Sequence, residues 1–339
     1  MGGISFGAQV LPDILSEVAG YKAGLTLSVE QMCDLFSGSE YPDLIKRGEE
    51  FGVRLRSEEY EDLFYSLLHR IGHTEEKYDG PIVDSVRLLH KYKGNDAELF
   101  SRVTKLFLEK WPKIFEAALK TGAEKFDPTP LLVEAKKRYG NTGVEMMYER
   151  ILVMIRASTY SPHSAPQFDE WHSTIPLDGL FDGNAPEPEH GKYIDQRYIN
   201  FLSNNPEKLG LMHWRKFEEL TTEFFLREGY QVELGPGSND DGIDVRLWDK
   251  NEKISNPPLC IVQCKRTKNK VEKVVVKGLF SDIVFNQAKR GLIVTTSELS
   301  PGARTTITSR GYPIEEINNS GIMQWLKKLR TTGTGIVRL

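Results

Sequence analysis

Apolar residues recur at three- and four-residue spacing through most of the first half of the chain, the period of one helix face. The pattern is clear in YEDLFYSLLHRIG (60–72), AELFSRVTKLFLEKWPKIFEAALKTG (97–122) and VEMMYERILVMIRAS (144–158). Start signals agree with it. Ser28 to Gln31 has the form of a capping box, Asn95 precedes Glu98 by three, and Thr129 stands as an N-cap before Pro130. Alternating strand patterns are scarce, so residues 1–157 are predicted to form an all-helical domain.

Residues 158–192 break the period. Pro162, Pro166, Pro176, Pro186 and Pro188 concentrate there among Ser, Gly, Asp and Asn, the composition of an interdomain linker or long irregular loop. Its aromatics, Tyr160, Phe168, Trp171 and Phe181, suggest that it packs along a surface. From residue 193 the pattern changes again. A helix is predicted over 209–228, closed by Gly229. Strands follow in YQVELG, IDVRLWD and LCIVQCK, then a helix over about 271–288 and a strand in GLIVTTS (291–297). A helix from Ser300-Pro301, a strand in PIEEIN (313–318) and a helix in GIMQWLKKLR complete the order α-β-β-β-α-β-α-β-α. That order makes 193–339 an α/β sandwich around a mixed sheet, joined to the helical domain in an α + α/β chain.

Composition narrows the setting. At 339 residues the chain suits two medium domains, and 39% hydrophobic with 27% charged residues is ordinary for a globular protein. Cys33, Cys260 and Cys264 form no even framework, which points to a reducing compartment. The opening MGGISFGAQV has no basic stretch before an apolar run, Phe6 stands where a myristoylation signal needs Ser or Thr, and no stretch is apolar enough for a membrane span. A cytoplasmic protein without membrane contact is expected. The net charge of -4 hides an asymmetry: residues 201–339 carry 21 Lys and Arg against 16 Asp and Glu, the rest 23 against 32. A mildly basic half beside an acidic one fits a nucleic-acid-binding module joined to one that contacts protein.

Candidate chemistry gathers in the basic half. Asp244 follows the turn 235–242 and begins the second strand, and the next strand ends Gln263-Cys264-Lys265. Strand alternation puts Gln263 and Lys265 on one face and Cys264 on the other. If the two strands are neighbours, Asp244 meets that pair at one sheet end, and Glu218 on the preceding helix brings a second carboxylate. Phosphodiester hydrolysis needs such a set. Mg2+ takes oxygen ligands, here Asp244 first, with Glu218 as a second carboxylate and Gln263 either offering its amide oxygen or positioning a metal-bound water. Lys265 would hold the attacking water and stabilise the pentavalent transition state.

These residues resemble the Mrr-type branch of the PD-(D/E)XK restriction-endonuclease superfamily over roughly residues 195–330. The resemblance rests on FEELTTEFFLREGYQVE (217–233), DDGIDVRL (240–247), IVQCKR (261–266) and GLIVTTSELSPGA (291–303). It implies a restriction-endonuclease-like αβββαβ fold and a metal-dependent DNA endonuclease using Mg2+ or Mn2+, with Glu218, Asp244, Gln263 and Lys265 as its active-site set. It also implies a prokaryotic restriction or anti-phage defence effector. Gln263 stands where many related sites carry an acid, which makes Glu218 a needed member. Asp241 departs from the pattern, in a position where glycine is common.

Arg266, Lys268, Lys270 and Lys273, followed by Lys277, continue from the active strand into the next helix as candidate phosphate contacts; a solvated surface is the bland alternative. His69 and His73 have a metal-ligand spacing with no third ligand, Cys260 and Cys264 read as core, and Trp111 and Trp214 as packing anchors. Gly235-Pro236-Gly237 lacks the Gly-Lys-Ser/Thr ending of a phosphate loop and reads as a tight turn. Two other functional readings stay open: a catalytically silent nucleic-acid-binding or scaffold module on a nuclease fold, and a nuclease active only when assembled with a partner. In the leading reading, an active endonuclease, the helical domain would sense a trigger, bind a protein partner or self-associate.

Overall fold

The structure, a computed structural model, describes residues 3–120, 127–160, 162, 171, 173–237 and 242–331. The chain divides into two compact units, one ending at Thr174 and one spanning Ile175–Thr331.

The first unit contains, in chain order, β1 (Gly3–Phe6), α1 (Val10–Ala23), β2 (Leu25–Thr26), α2 (Val29–Leu35), α3 (Tyr41–Glu50) and β3 (Val53–Arg56). After these come α4 (Ser57–Arg70), α5 (Pro81–Lys91), α6 (Ala97–Lys120) and α7 (Thr129–Tyr160). The unit is mostly helical, yet the expectation of an all-helical domain is corrected. β1 pairs antiparallel with β3, Phe6 opposite Val53 and Gly3 opposite Arg56. Val53 and Leu55 are buried and Arg54 and Arg56 exposed, a strand alternation of four residues that runs directly into a helix. So short a run barely registers against the helical period around it.

Helix signals fare unevenly. Ser28 Oγ accepts the Gln31 N–H at 3.2 Å and the Gln31 side chain accepts the Ser28 N–H at 2.8 Å, so the capping box forms as read. Asn95, in contrast, lies inside a 3-10 turn (Gly94–Asp96) ahead of α6. Thr129 is the first residue of α7 instead of its cap, and the Asp127 carboxylate accepts its N–H at 2.9 Å. Gly140 breaks α7 with φ 69° and ψ -161°. Phe100, Val103 and Phe107 of α6 pack with Leu131, Met146, Met147 and Ile151 of α7 and Leu88 of α5 in one core.

The second unit opens with β4 (Ile175–Pro176), α8 (Gly179–Asp182) and α9 (Gln196–Asn204), then α10 (Trp214–Arg227), β5 (Gln231–Leu234), β6 (Val245–Trp248) and β7 (Cys260–Lys265). α11 (Lys273–Phe285), β8 (Arg290–Thr295), α12 (Pro301–Arg310), β9 (Ile314–Ile317) and α13 (Asn319–Leu329) complete it. From α10 onward this is the order α-β-β-β-α-β-α-β-α that the pattern predicts. α10 starts five residues later than read, because Pro206–Gly210 forms a 3-10 turn. Gly229 ends it at φ 93°, a conformation that costs glycine nothing.

The five strands lie in the order β5-β6-β7-β8-β9, antiparallel from β5 to β7 and parallel from β7 to β9. Ile261 and Ile293 join Val276, Leu279 and Ile283 of α11 and Ala303 of α12 in the core on one sheet face. On the other, Leu247 and Cys260 line a cavity with Phe224, Phe225 and Trp325, the Phe224 and Trp325 rings stacked at 4.0 Å. Residues 175–192, inside the segment read as a linker, belong to this unit and bury Ile175, Leu177 and Leu180. Phe181 packs edge-on against Phe201. Phe168 and Pro166 lie outside the described residues.

Candidate active site

The site is built where β6 begins and β7 ends. The register Val245 opposite Val262 brings Asp244 level with Gln263. The Asp244 N–H donates to the Val262 carbonyl at 3.1 Å, and its carboxylate accepts the Cys264 N–H at 2.6 Å. Asp244 is therefore stitched to β7 on both sides of Gln263, and it is buried. Cys264 points to the opposite sheet face, where its thiol donates to Thr221 Oγ1 of α10 at 3.5 Å. Gln263 and Lys265 consequently share the face of Ile261.

Glu218 reaches the same place from α10, also buried, with its carboxyl in hydrogen-bonding contact with Asp244. Burial and the Asp244 charge push it up to about 7, against the opposing pull of Arg215. Arg215 donates through Nη1 to Glu218 Oε2 at 2.9 Å and to the Gly235 carbonyl at 2.8 Å, tying the helix to the exit of β5. The Cys264 thiol records the crowding. Burial, then the Asp244 charge, then Glu218 raise it, while the Thr221 hydrogen bond and Lys265 pull it down.

Gln263, opposite Asp244 in the register, carries a further side-chain oxygen. Its Oε1 is buried and has no hydrogen-bond partner, and such a group demands an explanation. A carboxylate pair held together with an unpaired carboxamide oxygen is the donor chemistry of a small divalent cation. Among the described residues no three of His, Cys, Asp and Glu gather as ligands. Gly242, at φ 83°, makes room for the carboxamide: an added Cβ would lie 3.1 Å from Gln263 Nε2. Asp240 and Asp241 lie outside the described residues.

Three residues outside the candidate set also shape the site; the Thr-Thr pair closes the strand that carries part of the resemblance, with no role read for it from the sequence. Thr295 Oγ1 donates to the Lys265 carbonyl at 2.8 Å, and Thr296 Oγ1 accepts the Thr267 N–H and donates to the Thr267 carbonyl, both at 3.0 Å. They clamp the strand end that carries Lys265. Arg215 is the third; its spacing of three from Glu218 on a helix was the available signal.

The basic run disperses. Arg266, Lys268, Lys270 and Lys273 are all exposed, but Arg266 donates to the Gly210 carbonyl at 3.1 Å and Lys270 pairs with Glu298 at 2.7 Å. His69 Nδ1 faces the Thr74 carbonyl and the His73 ring packs near Tyr160, so they make no pair of ligands. Cys33, Cys260 and Cys264 are free and buried. Trp111 stacks between Phe107 and Phe115 as a packing anchor. Trp214 departs from that reading, with 42% of its surface exposed.

The carboxylates on adjoining elements, the Gln-X-Lys strand end and the mixed sheet define a nuclease-type domain, and residues 209–326 match the Mrr_cat family model, described as Restriction endonuclease. The five-stranded mixed sheet with its flanking helices is consistent with a restriction-endonuclease-like fold. Among known proteins the chain is similar to an uncharacterized protein, y4cE, of Sinorhizobium fredii (strain NBRC 101917 / NGR234), 28% identical over 108 residues. That match covers 32% of this chain and spans about 28% of the relative's length. The MspJI restriction endonuclease, solved in complex with a 27-mer oligonucleotide, is 22% identical with a TM-score of 0.26, covering 39% of this chain and 30% of that one.

Proposed function

We propose that the chain is a divalent-metal-dependent DNA endonuclease that hydrolyses phosphodiester bonds at Glu218, Asp244, Gln263 and Lys265. The observation that carries this is the buried Asp244–Glu218 carboxylate pair with the unpartnered Gln263 Oε1 one strand away. Asp244, Glu218 and Gln263 would hold Mg2+ or Mn2+. When bound, the cation supplies Lewis-acid charge at the scissile phosphate. Lys265 stands two residues beyond Gln263, on the same face; its ammonium holds the attacking water and offsets charge building on the phosphoryl oxygens. Glu218, raised to about 7, is partly protonated near neutrality without a cation, and a bound cation would favour its ionised form. Arg215 then keeps the ionised carboxylate in place.

Arg266, Lys268 and Lys273 serve as phosphate contacts along the DNA, while Lys270 is engaged by Glu298. The first unit, residues 1–157 in the sequence reading, recognises a trigger or a protein partner, itself included, and the whole acts as a cytoplasmic restriction or anti-phage effector in a prokaryote. The family model over 209–326 supports the nuclease part of this reading. The test is plasmid nicking in Mg2+ or Mn2+, with and without EDTA, for wild type, Asp244→Ala and Lys265→Ala. Equal cleavage by wild type and either variant would sink the assignment. Tight DNA binding without turnover on any DNA would favour a silent binding module.

A further inference from the structure

We propose that Trp214 is a stacking platform for a base of the DNA strand that enters the candidate site; this deepens the endonuclease reading and rests on it. Of the chain's five tryptophans, Trp248 and Trp325 are buried and Trp111 and Trp171 half-buried, whereas 42% of Trp214 is exposed. A ring exposed to that extent offers an apolar face on which a flat base can stack.

Its position is fixed. Trp214 opens α10 four residues before Glu218, so both lie on one helix face, with the indole one turn nearer the helix start. The indole edge packs over Gly237, where an added Cβ would sit 3.1 Å from Cη2. The His213 ring, tilted by 41°, lies 5.2 Å away. Leu209 and Met212 are fully buried and anchor the segment that leads into the helix, while Leu211, 51% exposed, extends the apolar ledge.

Charge identifies the occupant. Arg266, the neighbour of Lys265, donates to Gly210 on that same segment, and Arg215 follows Trp214 directly. An exposed indole beside Arg215, at the end of a segment held by Arg266 and next to the carboxylates proposed to act on a phosphodiester, matches a nucleic-acid strand. Its bases stack on the ring while its phosphates meet Arg266 and the exposed Lys268 beyond it. Because every base has a π-face, the platform would position the strand without selecting its sequence.

The test is fluorescence anisotropy with a fluorescein-labelled single-stranded oligodeoxynucleotide, its duplex and the matching RNA, in EDTA and in Ca2+, over a salt series. Trp214→Ala should weaken DNA binding about 5- to 100-fold, with Trp214→Phe retaining most of the affinity. The slope of log Kd against log salt should not change in Trp214→Ala, whereas Arg266→Ala should lower it by about 1. Thermal unfolding of the variants, with the Phe rescue, separates stacking from a folding defect. DNA affinity equal to wild type in Trp214→Ala, a loss confined to RNA, or a wild type that binds no DNA would each overturn the proposal. Plasmid nicking by wild type is scored separately. A protein that binds DNA through Trp214 yet never cleaves it would refute the endonuclease reading alone.

Discussion

The Asp244 carboxylate accepts the backbone N–H of Cys264, the residue between Gln263 and Lys265, at 2.6 Å. The acid proposed as principal ligand thus fixes its own distance to the strand carrying the other two site residues. One oxygen is structural, and charge is needed on the other. Asp244→Asn can still accept the Cys264 N–H, so it should keep the thermal midpoint near wild type while cleavage falls by on the order of 100-fold or more. Asp244→Ala should lose both cleavage and about 1–3 kcal/mol of stability. Nicking assays paired with thermal melts check the split. An Asp244→Asn protein that cleaves like wild type would show that the charge is not used.

The Thr295–Thr296 clamp predicts a different signature. Thr296→Val removes both hydrogen bonds to Thr267, and Thr295→Val removes the donor to the Lys265 carbonyl. Each should cost about 1 kcal/mol in stability, since the shape is kept and one or two neutral bonds are lost. Cleavage should fall further than that loss implies, because Lys265 would no longer be held. Thr305→Val, which removes only an exposed bond to the Pro301 carbonyl, provides the comparison and should leave cleavage unchanged.

Glu218 makes the metal-free protein pH-sensitive. Its folded value, about 7, lies above the ordinary glutamate value of 4.5, so the folded state binds the proton more tightly than the unfolded chain. Stability from this group is therefore complete below about 4.5 and is lost as pH rises through about 7. In EDTA, the thermal midpoint of wild type should fall between pH 5 and pH 8 by more than that of Glu218→Gln, and Mg2+ should remove the difference at the higher pH. Identical pH slopes in the two proteins would contradict the arrangement.

How much of this was legible depended on which periodicity carried it. The order from α10 to α13 could be read because each element is either a long helical stripe or an apolar run bounded by turn residues. Asp244, Gln263 and Lys265 stood out through strand parity and a short connection. Arg215 did not, since a charge on a helix face reads as solvated until its partner Glu218 is known to be buried. The β1–β3 ribbon was missed because VRLR borders a helix on either side, and its partner strand lies about fifty residues away in sequence. The partial exposure of Trp214 could not be read, because sequence gives a tryptophan's bulk but not the side of the segment it leaves from.

A buried ion pair sets the acid limit of the second unit. Asp195 caps α9 and pairs with Arg197 at 2.7 Å, both nearly inaccessible, and it also accepts the N–H groups of Glu189 and His190. Burial raises its pKa, but the Arg197 hydrogen bonds outweigh this and hold it below 3.8. Its stabilisation is present above 3.8 and lost as pH falls through the lower folded value. Asp195→Ala, which leaves Arg197 buried without its main counter-charge, should cost about 3–5 kcal/mol. Denaturant unfolding checks this, and a loss below about 1 kcal/mol would mean that water or Glu189 compensates.

Gly242 separates strain from chemistry. Alanine there must adopt φ 83° and would press its Cβ to 3.1 Å from Gln263 Nε2. Alanine at Gly311, φ 61°, meets the same backbone penalty with nothing within 4 Å. Both variants should lose about 1–2 kcal/mol. Only Gly242→Ala should also lose cleavage, by about tenfold or more, because it displaces the carboxamide whose oxygen completes the site. Melting curves and nicking rates for the two proteins decide it. Matched stability losses with unequal cleavage support a working role for Gln263, while equal cleavage would leave its buried, unpartnered oxygen without a catalytic purpose.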